Sequence, residues 1–240
     1  MVRKTGQFVG VVIAGLVLVA AVGADVTIEM EVETKGPTGT QTVTIKQYYA
    51  DDKMRSEYGE QSVSIIDLVK ERSVTLLPAM KKYLVQTFAD MRAMGEMFKD
   101  MKVEIAVEKT DETEEISGYP CVKYIVRTTG MGPESVTEYW MTTGVEPDES
   151  LKAWVLKAHE VFKEIPHQKA AYKMQKQFAD DGLVMIRMVM RMKGPAGPMI
   201  TTTTVTKIEP GDLDESLFEI PDDYTDQMSG IPGGGGIDLE

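Results

Sequence analysis

The residue types that could carry out chemistry are few in this chain. His159 and His167 are its two histidines, and Cys121 is its single cysteine. Two histidines could act as acid and base, or bind a metal, if the fold placed carboxylates or a nucleophile beside them. The sequence contains no Gly-x-Ser-x-Gly elbow, no phosphate-binding glycine loop and no His-Glu-x-x-His helix. We therefore expect a protein without enzymatic activity, without a cofactor and without a metal site.

Cys121 and an acidic run at 111–115 are the other candidates for chemistry. A single cysteine cannot form an intramolecular disulfide, so it is either a reactive thiol or a small apolar residue. Cys121 stands at the start of a predicted strand, which favours burial as a small apolar residue. The acidic run has no histidine near it and is interpreted as a solvated loop that binds no metal.

The overall charge limits the kinds of partner that the protein can have. The chain has 240 residues, of which 42% are hydrophobic, and its formal net charge is −12. This length and composition suffice for one large domain with its own core. The excess of acidic residues excludes the overall basic surface that binds nucleic acid or anionic membranes. The spacing of lysine and arginine along the chain does not require a local basic patch either.

The N-terminal residues have the pattern of a secretory signal peptide. Arg3 and Lys4 give a basic start, residues 8–22 are apolar, and small residues precede Asp25. The apolar run is shorter than the roughly 20 residues that span a bilayer, which favours a cleaved signal over a retained anchor. No cysteine near the cleavage site could carry a lipid anchor. The predicted organisation is a signal peptide at 1–24, one β-rich domain at 25–228 and a disordered glycine-rich tail at 229–240, in a soluble periplasmic protein.

Strand patterns dominate the predicted mature chain. The segment 48–87 contains short apolar runs separated by charged turns, which predicts a meander of antiparallel strands. In its middle strand Val63 and Ile65 point to one face, while Ile66 and Leu68 point to the other. Either both faces of the sheet are covered at this point, or a bulge shifts the register of the strand.

Three helices are predicted to cover this sheet. A stripe of mostly methionine runs through 88–101, a second helix begins near 147–150, and a third short helix ends at 180–182. Met174 and Phe178 lie on the apolar face of the third helix. Because methionine is flexible and polarizable, the first stripe could either line a pocket or fill a core.

Short segments spread over most of the predicted mature chain resemble a known family. They are Lys53-Met54-Arg55, 65–68, 81–83, 116–124, 138–140 and 218–221. Together they resemble the DUF4412-type exported bacterial domain, which is itself similar to the LolA/LolB-like lipoprotein-carrier superfamily. The resemblance implies an α+β fold in which a curved antiparallel sheet forms an incomplete β-barrel. In that fold two or three helices cover the concave face, which can hold acyl chains. The resemblance brings no catalytic residues.

Two functional hypotheses follow from these patterns. The first is an exported carrier-like protein that binds a lipid or acyl chain between the methionine-rich helix, the second helix and the strand at 184–192. Its candidate site residues are Met91, Met94, Phe98, Met101, Trp154, Phe162, Val184, Ile186, Met188 and Met190. The alternative is a structural or protein-interaction module of the cell envelope, in which these side chains fill the core and an acidic face contacts another envelope protein. Neither hypothesis includes nucleic-acid binding or a membrane span that is retained after signal cleavage.

Overall fold

The fold is given by a computed structural model. It describes residues 25–50, 52–97, 100, 102–130, 135–145, 149–163, 165–194 and 197–227. The predicted signal peptide at 1–24 and the predicted tail at 229–240 lie outside these ranges, as do the candidate site residues Phe98 and Met101.

Within those ranges, twelve strands form one sheet and three helices pack with it. The strands are β1 (Val26–Gly36), β2 (Gly39–Ala50), β3 (Lys53–Tyr58), β4 (Ser62–Asp67), β5 (Arg72–Leu77), β6 (Lys82–Thr87), β7 (Glu104–Ile116), β8 (Tyr119–Thr129), β9 (Ser135–Thr142), β10 (Val184–Gly194), β11 (Gly197–Pro210) and β12 (Thr225–Asp226). The helices are α1 (Phe88–Glu96), α2 (Glu149–Phe162) and α3 (Pro166–Asp180).

The sheet consists of two meanders, β1–β6 and β7–β11, which are joined by the pairing of β1 with β11. Its order is β12-β6-β5-β4-β3-β2-β1-β11-β10-β9-β8-β7, and all neighbours are antiparallel except β12, which is parallel to β6. In the described part of the chain β7 and β12 are the two end strands and do not pair with each other, so the sheet is unclosed. The predicted fold class, a curved antiparallel sheet combined with helices, is confirmed.

The middle strand of the meander is covered on both faces, as one of the two sequence interpretations required. Ile66 and Leu68 belong to a main core beneath the helices, whereas Val63 and Ile65 belong to a second core on the opposite face. The register of β4 is continuous with β3 and with β5. The alternation of the strand therefore places apolar side chains on both faces without a bulge.

The second core consists of Val63, Ile65, Val74, Leu76 and Phe218. Its cover is the irregular segment 213–224, which contributes Phe218 from a short 3-10 turn and packs further apolar side chains around it. Arg55 fixes this segment, because its Nη1 donates a hydrogen bond of 2.7 Å to the Leu217 carbonyl oxygen. The chain then continues into β12, which pairs with β6.

The first helix is shorter than the sequence predicted. Thr87 and Asp90 form a capping box at its start, and α1 ends at Glu96 after nine residues. Phe88 is fully buried, but Met94 is 54% exposed. The predicted methionine stripe therefore does not pack on the sheet along its whole length, although Gly95 in the last turn of the helix is buried.

The other two helices form a layer over the sheet. Helix α3 begins at Pro166, which confirms the predicted break there, since proline suits the first turn of a helix. Ala158, Phe162 and Ile165 are fully or almost fully buried between the helices and the sheet. An ion pair between Lys157 and Asp52 joins α2 to the turn between β2 and β3.

The acidic run at 111–115 lies in strand β7, so its interpretation as a loop was wrong. Its side chains are exposed as expected, but β8 supplies the backbone hydrogen bonds that make the segment a strand. The register of β7 against β8 shifts between Lys109 and Thr113, and the residues between these two are accommodated there as an irregularity of the strand. Carboxylates along a sheet edge also discourage edge-to-edge association of the protein.

Candidate ligand-binding groove

A groove with a volume of about 1060 Å³ lies between helix α3 and the end strand β7. Small-molecule sites occupy roughly 300–1,000 Å³, so this groove is large enough for a lipid-sized ligand. Residues 102–107 form one wall, α3 forms the opposite wall, and β8 contributes between them. Its apolar lining consists of Val103, Ile105, Ala106, Val107, Tyr124, Ala170, Met174 and Phe178.

One face of α3 supplies a complete wall of this groove. Its lining residues are Lys169, Ala170, Lys173, Met174, Gln177 and Phe178, followed by Asp181 just after the helix. These positions follow the three- and four-residue spacing that places side chains on one side of a helix. The groove is therefore a feature of the amphipathic pattern of α3 and not of an irregular loop.

Aromatic contacts fix how α3 is placed on the molecule. Tyr172 stacks on Phe162 of α2 with 5.0 Å between ring centroids, and Phe178 meets Tyr124 of β8 edge-on at 5.8 Å. Such pairs contribute about 0.5–1.5 kcal/mol each beyond the burial of their area. Because the two contacts lie at different heights along the helix, they restrict its rotation and keep the groove wall in place.

The opposite wall is fixed by a close backbone approach at the end of β8. Gly130 has a φ of +93°, and a Cβ at this position would overlap the carbonyl oxygen of Lys102. Only glycine meets both requirements, since a side chain would be strained by the backbone angle and would push residues 102–103 away. This contact sets the distance between the wall and β8.

The floor of the groove is continuous with the main core. Phe178 and Tyr124 line the groove and are also buried members of the main core, while Ile105 and Met174 pack against it. Phe178 also contacts Tyr139, with 6.2 Å between ring centroids. A ligand on this floor would therefore rest directly on the packed interior of the protein.

The polar part of the groove is more basic than the chain as a whole. Lys102, Arg127, Lys169 and Lys173 line it together with two acidic residues, Glu104 and Asp181, although the chain has a net charge of −12. Asp181 accepts a hydrogen bond of 3.1 Å from Gln177. The groove thus combines apolar walls with a locally positive border.

The sequence-predicted site residues that the structure describes do not line this groove. Trp154, Phe162, Val184, Ile186 and Met188 are buried in the main core, and Met91 and Met190 pack against it. Met94 is exposed on α1. The structure thus brings seven of the ten residues into one cluster, and among the described residues none of the ten lines the groove.

The sequence reasoning missed the residues that do line the groove. The signal was present in α3, where Met174 and Phe178 share a helix face with Lys169, Lys173 and Gln177. Apolar and basic side chains on one face distinguish a groove wall from a purely apolar core face. The contribution of 102–107 could not be seen in the sequence, because it depends on β7 being an end strand.

The residues with reactive side chains do not form a catalytic group in the described part of the chain. Cys121 is 1% exposed, which confirms its predicted role as a buried small residue, and burial raises the pKa of its thiol to about 11. Nδ1 of His159 is buried among residues that offer it no hydrogen bond, and His167 is the second residue of α3. No group of three or more metal-binding side chains occurs among the described residues.

Comparisons with known proteins identify the family. The model of the domain of unknown function DUF4412 matches residues 27–224 of this chain. The chain belongs to the DUF4412 family. This confirms the family resemblance found in the sequence, while the curated proteins give no match to this DUF4412 member.

Several solved structures resemble this DUF4412 member. PNGF-II matches with 12% identity and a TM-score of 0.39, over 84% of this chain and 31% of that chain. A LolA superfamily protein from Nitrosomonas europaea matches with 8% identity and a TM-score of 0.35, over 82% of this chain and 90% of that chain. A DUF1329 family protein from Desulfovibrio piger matches with 10% identity and a TM-score of 0.34, over 82% and 90% of the two chains. This chain therefore spans 31% of the length of PNGF-II.

In the parts of the chain that the structure covers, no helix combines the length and the apolar character needed to cross a bilayer.

Proposed function

We propose that this protein binds the alkyl or acyl chain of a lipid in the groove between α3 and β7, as a carrier-like protein without catalytic activity. The observation that supports this proposal is the apolar lining of a lipid-sized groove on both walls, continuous with the main core. A hydrocarbon chain offers no hydrogen bonds, so its binding requires walls of this kind. Each CH₂ group removed from water contributes about 0.8 kcal/mol.

The residues proposed from the sequence take a supporting role in this account. Trp154, Phe162 and Ile186 hold α2 against the sheet, and α3 packs on α2 through Tyr172. In our proposal these side chains form the layer on which the ligand-bearing floor rests. Phe178 is the side chain through which the hydrocarbon chain of a lipid in the groove would contact that layer.

The proposal is tested by filling the groove. Ala170 lines it from α3, so Ala170→Trp places an indole ring in the volume that the chain would occupy. Ala93→Trp is the matched control, because Ala93 is exposed on α1 and lies outside the groove lining. Binding of the uncharged apolar dye N-phenylnaphthylamine is measured by fluorescence titration, and the fold of each variant by circular dichroism. We expect Ala170→Trp to weaken dye binding about tenfold or more, because the indole removes apolar volume.

Two results would contradict this proposal. One is equal dye binding by the two tryptophan variants, which would place the apolar site elsewhere. The other comes from native mass spectrometry of protein purified from its cells. A bound lipid is expected there, whereas a lipid-free protein held to another polypeptide would favour the interaction module of the cell envelope.

We also propose that the protein acts in the periplasm after removal of residues 1–24. The support is the basic start, the apolar run and the small residues before Asp25. Intact mass spectrometry of protein isolated from its natural host tests this directly. A mass that begins at Asp25 is expected, and a mass that begins at Met1 would contradict the proposal.

A further inference from the structure

Three lysines at the groove have no carboxylate partner within the described residues. Lys102, Lys169 and Lys173 line the groove. None of them forms an ion pair with a carboxylate among the described residues. Other lysines of the chain do have carboxylate partners: Lys53 contacts Glu215 at 2.8 Å, and Lys81 contacts Asp223 at 2.6 Å. In a chain with an excess of acid, three lysines without such a partner among the described residues thus lie at one groove.

Two of these lysines stand four residues apart on α3. Lys169 and Lys173 therefore lie one turn apart on the same side of the helix, where like charges repel and destabilise it. The same helix shows the usual alternative, since Lys176 contacts Asp180 at 2.6 Å. An anion between the two groove lysines would remove their repulsion and provide the partner that the protein does not supply.

The position of these lysines relative to the apolar lining defines the shape of a ligand. Ala170 and Met174 follow Lys169 and Lys173 directly in the sequence, so charged and apolar lining alternate along one wall. Lysine packs its methylene groups along apolar surface and keeps the ammonium group in water. The charged groups then lie at the border of the groove and the hydrocarbon surface lies below them.

We propose that the groove takes a single-chain amphiphile with an anionic headgroup, either a carboxylate or a phosphate. The headgroup lies between Lys169 and Lys173, with Lys102 on the facing wall, and the chain lies on the floor formed by Met174 and Phe178. This inference rests on the proposed function, because it names the class of lipid that the same groove selects. It also explains a basic border that an uncharged lipid would not need.

The experiment compares amphiphiles that share a chain and differ in the headgroup. Isothermal titration calorimetry measures dodecanoate, dodecyl phosphate and uncharged methyl dodecanoate at low ionic strength and below their micelle concentrations. The groove variant is Lys169→Gln with Lys173→Gln, and the control is Lys82→Gln with Lys152→Gln, which removes the same charge outside the groove lining. We expect the unmodified protein to bind the anions about fivefold or more tightly than the ester, since two partly exposed ion pairs contribute that much.

The outcomes separate this inference from the proposed function. The groove variant is expected to bind all three compounds alike, and the control is expected to keep the preference for anions; the tighter of the two anions then identifies the headgroup. Equal binding of anions and ester by the unmodified protein would overturn the inference and leave the proposed function intact. Loss of the preference in both variants would also overturn it, because net charge alone would then explain the effect. No binding of any compound would overturn both.

Discussion

The two faces of the sheet are covered in different ways. On one face three helices lie over the main core, which extends from β1 to the buried side of α3. On the other face the irregular segment 213–224 covers the second core around Phe218. The main core continues into the groove between α3 and β7, whereas the pockets beside Phe218 at the second core are smaller, with volumes of about 300 and 270 Å³.

This difference shows how the groove arises. A helix of 15 residues such as α3 is a nearly straight rod of about 22 Å, while a sheet twists beneath it. The rod cannot follow the sheet to its last strand, so space remains between α3 and β7. An irregular segment can change direction at each residue and leaves less space. We infer that the type of cover decides which face of this fold can accept a ligand.

The largest effect is expected from a cavity beneath the helices. Phe162 is 1% exposed and contacts the rings of Phe88 and Tyr172 with centroid distances of 4.8 and 5.0 Å. Phe162→Ala should lower the free energy of unfolding by about 3–5 kcal/mol, as measured by urea denaturation. It should also weaken dye binding in the groove, because α3 loses the ring on which Tyr172 stacks. Full retention of dye binding would show that the groove does not depend on packing in the main core, which would contradict the role proposed for Phe162.

High pH should act chiefly on the same helix-covered face. Burial raises the pKa of Cys121 from 9.0 to about 11 and that of Tyr139 from 10.0 to about 12, and it also raises the pKa of Tyr49 and Tyr172. The unfolded chain releases these protons first, so stability is complete below about pH 9 and falls as the pH rises toward 12. For Cys121 and for Tyr139 the loss of stability is on the order of 2–3 kcal/mol each.

Urea denaturation at several alkaline pH values measures this effect. At each pH the folded chain should show less tyrosinate absorbance than the urea-unfolded chain, since the buried phenols titrate only when the main core opens. Equal tyrosinate absorbance of the folded and unfolded chains would show that these phenols are accessible to water.

A smaller effect is expected in the second core. Phe218 is 8% exposed, and Nζ of Lys53 lies 5.9 Å from the centre of its ring. Phe218→Ala should lower the free energy of unfolding by about 2 kcal/mol, less than a cavity in the main core, because the irregular segment can relax into the space. Dye binding should not change. A loss of dye binding would mean that the two faces are coupled and that the comparison between them fails.

The smallest effect is expected on the exposed side of α1. Met94→Gln should change the free energy of unfolding by no more than about 0.5 kcal/mol, because Met94 is 54% exposed. Met91→Gln is the matched comparison on the same helix, and it should cost more, since Met91 packs against the main core. Equal decreases in the free energy of unfolding for the two substitutions would mean that Met94 packs as well as Met91, as the predicted methionine stripe requires.

Much of the fold could be predicted because its signals are local. The alternation of Val63, Ile65, Ile66 and Leu68 predicted either cover on both faces or a bulge, and the structure shows the cover. Pro166 marked the break between two helices for the same local reason. The acidic run at 111–115 was misjudged because its strand depends on pairing with β8, which no local pattern reveals.

The site was harder to predict than the fold. Methionine at helical spacing through 88–101 predicted a stripe that lines a pocket or fills a core, but the sequence does not show that α1 ends at Glu96 and that Met94 is exposed. The groove depends on β7 being an end strand and on the distance between its wall and α3, and both follow from the order of strands across the whole sheet. Lys169 and Lys173 of α3 were visible in the sequence, but that they have no carboxylate partner among the described residues is a property of the folded chain.

The most direct test of the proposed groove is photo-crosslinking with a fatty acid that carries a diazirine in its chain, followed by trypsin digestion and mass spectrometry. The account predicts that the label is found on the peptides 103–109, 174–176 and 177–187, which contain Ile105, Met174 and Phe178. An excess of uncharged dye should reduce this labelling. Label concentrated on the peptide 93–99, which contains Met94, or spread over the surface without competition by the dye, would contradict the central claim that the lipid chain lies between α3 and β7.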